Sequence, residues 1–146
     1  MIVAGTRALD GLVGTGTVEG TLPLDPPIDF HGWATFEWLG AFMVYRSAID
    51  DQPDFPSVVA VIESDDEATG ACTQHYFDSR GIKRIYQMRV TEGLWEMWRD
   101  GEDDDFYQRF TGKVSADGTT VDGRFDIAED RKTWKHDFDI TYRKVQ

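Results

Sequence analysis

The sequence predicts an all-β protein, an antiparallel up-and-down barrel of about ten strands. Three observations predict it. From Tyr76 to Arg99, charged residues alternate with β-branched, aromatic and long apolar ones, interrupted by Gly81 and Gly93 where tight turns need positive φ. From position 50 onward, turn signals recur about every 10 to 15 residues, with no strong helical period between them. Asp117-Gly118 is the strongest hairpin signal, and a type I′ turn is expected there. Short connections make sequential strands antiparallel neighbours, and closure of so many strands removes both open edges. A two-sheet sandwich is the alternative; the hairpin-like connections favour the barrel.

The elements follow in order. Arg7 to Leu12 can form one helical turn ending at Gly11 or Gly14. Val13 to Leu22 alternates with small residues and reads as a first strand bent at its glycines. Leu22 to Gly32 contains Pro23, Pro26 and Pro27 and reads as a loop, a natural lid. Trp33 to Trp38 and Ala41 to Ile49 are strands joined sharply at Leu39-Gly40. After a turn over Asp50 to Pro56 come strands Ser57 to Glu63 and Ala71 to Phe77, separated by the polar stretch Asp65 to Gly70. Beyond Arg99 and an acidic loop, Phe106 to Ser115, Thr119 to Ile127 and Thr133 to Val145 complete the set.

The 146 residues suit one domain, expected to span 1–146. About 70% of the unfolded surface can be buried at this length, enough for a core without staples. The net charge of −12 argues for solubility, and against nucleic acid or anionic membranes, which recruit basic patches. Asp100 to Asp105 lacks the spacing of a calcium loop and reads as a solvated acidic loop. Cys72 is the only cysteine, so no intramolecular disulfide forms, and a cytoplasmic location is expected. The N-terminus has no signal-peptide pattern, and no apolar run approaches a membrane span. The sequence is silent on oligomeric state; a homodimer through an edge or an outer face is compatible with it.

Register can be argued in the C-terminal half. With Asp117-Gly118 as a two-residue loop, Val114 faces Val121, Gly112 faces Gly123 and Phe110 faces Phe125, all inward. In the last strand, strict alternation puts Trp134, His136, Phe138, Ile140 and Tyr142 on the inner side. Gln108 and His136 are then polar residues in an apolar interior. Each is either satisfied internally or placed to orient a ligand. Tyr142 adds a hydroxyl to the same surface, unless it packs at the rim. In the central stretch Arg84, Tyr86, Met88 and Val90 share the inward face. Arg84 sits near a barrel mouth, where it pairs with a carboxylate such as Asp78 or meets an acidic ligand. Arg80 reads as solvated. Period alone does not decide the inward face of residues 94–99.

No sequence pattern specifies a cofactor or metal. His31, His75 and His136 are far apart, and the glycines at 11, 14, 16 and 20 precede no helix. Cys72 lies mid-strand without an activating base. An acid–base pair of His136 with Glu37 or Glu63 would suit a cofactor-free isomerase or hydrolase, though nothing specifies it. An interaction domain with its interior packed shut is a further alternative.

The chain resembles the calycins, the lipocalin-like antiparallel barrels, and within them small bacterial lipocalin-like families of unassigned activity. The resemblance rests on Ala8 to Gly14, Phe36 to Phe42, Tyr76 to Gly81, Asp117-Gly118 before Gly123, and Asp139-Ile140-Thr141-Tyr142-Arg143-Lys144-Val145. It implies a barrel holding a small apolar or amphipathic molecule, with His136, Gln108, Tyr142, Tyr86 and Arg84 as contacts. Two departures accompany it. Gly14-Thr15-Gly16 replaces the Gly-x-Trp of lipocalins. Haem-binding nitrobindin barrels end in a similar strand, but their axial histidine aligns with Asp137, one residue from His136 and on the opposite face.

Overall fold

The computed structural model describes residues 7–99 and 106–145. The acidic loop Asp100 to Asp105 lies outside the described residues. A short 3₁₀ turn, Ala8–Leu12, leads into ten strands: β1 (Gly14–Leu22), β2 (Ile28–Leu39), β3 (Phe42–Ile49), β4 (Val58–Asp66), β5 (Ala71–Asp78), β6 (Lys83–Thr91), β7 (Leu94–Arg99), β8 (Tyr107–Val114), β9 (Thr120–Ala128) and β10 (Lys135–Lys144). Each pairs antiparallel with the next, and β1 pairs with β10, so the sheet closes into an up-and-down barrel.

The expected register is present: Phe110 pairs with Phe125, Gly112 with Gly123 and Val114 with Val121. The turn itself differs. Only Gly118 has positive φ (74°), and its N–H donates to the Ser115 carbonyl at 2.9 Å. The reversal is therefore a tight turn followed by a left-handed glycine, not type I′. Asp117 holds it, its Oδ1 accepting from the Ser115 hydroxyl (2.6 Å), the Thr119 hydroxyl (2.8 Å) and the Thr119 N–H (3.1 Å).

The stretch expected to be a loop over Leu22 to Gly32 is mostly strand, because β2 begins at Ile28. Phe30, Gly32, Ala34 and Phe36 alternate inward along it, leaving only 23–27 as the connection. The three prolines mask an alternation that starts directly after the last of them. The ambiguity at 94–99 is resolved: Trp95 and Met97 are buried, facing inward.

The two ends of the barrel differ. Leu9 and Leu12 on the 3₁₀ turn are buried and stop one end. That turn is pinned by the Trp38 indole N–H donating to Asp10 (2.8 Å) and by Lys144 Nζ donating to the Gly11 carbonyl (2.8 Å). The guanidinium of Arg7 lies over the Trp38 ring, 3.5 Å from its centroid. Above the plug, Met43, Ile62, Cys72, Met88 and Phe110 pack without access to solvent. Cys72 donates to the Gly70 carbonyl, and burial pushes its thiol up to about 11, so it stays protonated and unreactive near neutrality.

Candidate functional site

Toward the other end the side chains stop filling the barrel and leave a cavity of about 270 Å³. It opens beside Phe55 and Pro56 of the β3–β4 connection. Its lining is divided by strand. β9, β10, β1 and β2 contribute Phe125, Phe138, Ile140, Leu22 and Phe30, with Phe125 and Phe138 stacked at 4.7 Å. β5, β6 and β8 contribute Gln74, Tyr76, Arg84, Tyr86 and Gln108. One arc is thus mostly phenyl and aliphatic, and the other is mostly polar.

Of the residues expected to line a cavity, Gln108, Tyr142, Tyr86 and Arg84 do so. Tyr86 and Gln108 are both buried, and the Tyr86 hydroxyl donates to Gln108 Oε1 at 2.9 Å. Tyr142 meets Tyr45, hydroxyl to hydroxyl, at 3.4 Å. Burial raises both phenols above their ordinary range. Tyr76 is raised by burial and by its bond to Asp78. All three remain neutral near pH 7 and act as hydrogen-bonding groups, not as bases.

His136 does not face the cavity, and neither does Trp134. The register shifts between His136, paired with Asp126, and Phe138, paired with Phe125. This bulge makes Asp137 an extra residue and breaks the alternation, so everything before it changes face. His136 is exposed and reaches Asp139 on the outer surface (2.9 Å), while the Trp134 ring lies outside under Arg109. The proposed carboxylate partners are elsewhere too. Glu37 is exposed, and Glu63 Oε1 accepts from His75 Nε2 at 3.1 Å, away from the cavity. Among the described residues no histidine lines the cavity, which removes the premise of an acid–base site built on His136. Asp137 and His136 therefore supply no imidazole to the cavity, the ligand that a nitrobindin-type haem site would use.

The expected Arg84–Asp78 pair is not formed. Asp78, whose side chain is fully covered, is held by Arg80 instead, with Nη2 at 2.6 Å and the backbone N–H at 2.9 Å. The Tyr76 hydroxyl also donates to it at 2.7 Å. Arg80 sits two residues further along the same turn, and so reaches Asp78 with little loop to order. Arg84 points across the mouth, its guanidinium 5.8 Å from the Tyr76 ring centroid and 5.1 Å from that of Phe106.

The hydrogen bond from Arg80 holds the Asp78 carboxyl well below the usual carboxylate range. A carboxyl that ionises more readily when folded stabilises the fold fully above its unfolded value of about 4, and that stability is lost as pH falls through the lower folded value. Asp78→Asn is expected to cost about 1–2 kcal/mol at pH 7, at the lower end of charged hydrogen bonds because Arg80 is half-exposed. In urea unfolding, the gap from wild type is expected to narrow as pH drops below about 4. A gap independent of pH would contradict it.

Sequence reasoning missed Gln74, Tyr45, Tyr76 and Trp95. Gln74 is 5% exposed, lines the cavity and makes no side-chain hydrogen bond among the described residues. The indole N–H of Trp95 is likewise buried without an acceptor among them. The signal for Gln74 and Tyr76 lay in the Gly81 turn, which pairs Tyr76 with Arg84 and Gln74 with Tyr86 and so transfers the inward face of β6 onto β5.

A closed, ten-stranded antiparallel barrel, plugged at one end and hollow at the other, is calycin-like in fold. Its structural neighbours include Rv2717c from M. tuberculosis, whose crystal structure superposes with a TM-score of 0.71 at 12% identity, over 95% of this chain and 98% of that one. At this identity the likeness concerns the fold alone. No protein-family model matches the chain, and no curated protein matches it. Among the described residues no helix is long and apolar enough to cross a membrane.

Proposed function

We propose that the barrel binds one small hydrophobic or amphipathic molecule in its open half. The observation that carries this reading is the cavity itself, together with Gln74 at its wall, whose amide has no hydrogen-bond partner among the described residues. Buried polar groups are satisfied in the great majority of structures, so an unsatisfied amide facing a void is a place for a ligand's polar atom or for water. The volume lies at the small end of ligand pockets, which favours a compact ligand.

Uptake of an uncharged naphthalene fluorophore tests it. Wild type is expected to bind and to enhance the emission. Ser47→Trp, which places an indole at a half-buried position of the lining, is expected to weaken binding at least about tenfold by filling the void, with the barrel's circular dichroism unchanged. Uptake that survives the blocked cavity would place the probe on the outer surface and sink the reading.

A further inference from the structure

We infer that the ligand of this cavity is an organic anion, a compact aromatic carboxylate whose charged group meets Arg84 at the mouth while its ring lies among the phenyl groups opposite. The inference rests on the cavity-binding reading above and adds the chemistry of the ligand.

Among the described residues the positive charge of Arg84 at the mouth has no carboxylate opposite it. Asp78 is the nearby carboxylate on β5, and Arg80 and Tyr76 already occupy it. Arg84 has no carboxylate within ion-pair distance among the described residues and makes no side-chain hydrogen bond there. It is half-buried, with the rings of Tyr76 and Phe106 beside it. Aromatic neighbours favour a guanidinium without using its N–H donors, which stay free for a planar oxyanion. Arg84 also stands at the top of the polar arc. It pairs across the sheet with Tyr76, and the next inward pair is Gln74 with Tyr86. The Gln74 amide can therefore donate to the second oxygen, or to a further polar atom, of a group bound by Arg84.

The opposite arc sets the body of the ligand. Phe30 contacts Phe55 at 5.3 Å and Phe138 at 6.1 Å, and Phe138 stacks on Phe125. These are offset and edge-on arrangements that accept another ring at similar spacing. A flat ring carrying one short acidic arm fits both arcs at once, within the volume available.

The test compares naphthalene-1-acetate with the neutral 2-(1-naphthyl)ethanol by isothermal titration calorimetry on the full chain, at low and high salt. The acid is expected to bind at least about tenfold tighter than the alcohol, the usual margin of a charge-assisted pair. Arg84→Gln is expected to erase that margin by lowering the acid's affinity far more than the alcohol's, and an unchanged circular dichroism spectrum and melting temperature show that the variant is folded. Gln74→Leu is expected to lower the acid's affinity more than the alcohol's. If both probes bind equally to wild type, or Arg84→Gln leaves the margin intact, the anion inference is overturned and the cavity reading stands. If neither probe binds, both fall together.

Discussion

Phe110→Ala is expected to lower stability by about 3–5 kcal/mol, among the largest effects of any single truncation in this chain. Phe110 is 1% exposed and sits over two glycines, Gly112 beside it on β8 and Gly123 across on β9. A Cβ on Gly123 would come within 2.4 Å of the ring, and one on Gly112 within 2.9 Å. The glycines therefore leave the space that the ring fills. Trp95 and Phe125 flank it with centroids at 4.7 and 4.9 Å, and both also line the cavity. Removing the ring leaves a hole that the closed sheet cannot collapse, because ladder hydrogen bonds on both sides hold the strands apart. The melting temperature should fall by roughly 10 °C or more. Gly123→Ala should destabilise by itself and do so less in the Phe110→Ala background, a coupling that a double-mutant cycle would read directly. A loss below about 1 kcal/mol for Phe110→Ala would mean that the ring is not packed as described.

Gly70→Ala is expected to cost at least about 3 kcal/mol, for two reasons that add. Its φ is +76°, a conformation costly for any residue with a Cβ. A Cβ there would also meet the Val90 carbonyl oxygen at 2.0 Å, and backbone held in a ladder cannot swing aside as a side chain can. The close approach is needed because the Gly70 carbonyl accepts from the Val90 N–H at 3.0 Å, tying the β4–β5 connection to β6. Gly81 and Gly93 have φ of +83° and +75°, with open space where a Cβ would go. Alanine at either should cost only about 1–2 kcal/mol. Chemical denaturation of the three variants checks the ranking. Equal losses at all three positions would show that the contact with Val90 contributes nothing.

How far the sequence could be read depended on the range of the interaction in question. The pairing of Phe110 with Phe125 followed from a turn only a few residues away. Arg84 and Tyr86 were placed inward by alternation along one strand, and Gln108 by the same argument. The same rule failed at His136 because one bulge intervened, and a β-bulge has no signature in the residue pattern when a polar residue such as Asp137 can sit on either face. The pairing at Asp78 lay outside that rule: Arg84 was one candidate partner for it, and only the path of the turn selects Arg80.

The chain by itself determined an all-β protein, the order and antiparallel sense of its strands, and the inner face of those whose turns were unambiguous. These depend on neighbours two residues apart or across one hairpin. Closure into a barrel was also expected from the chain, and β1 does pair with β10; only the tertiary structure decided that the 3₁₀ turn stops one end, and that the remaining space collects at the other beside Arg84 and Gln74. A void is the difference between the room enclosed by all ten strands and the volume of the side chains that point into it, and no local stretch carries that difference.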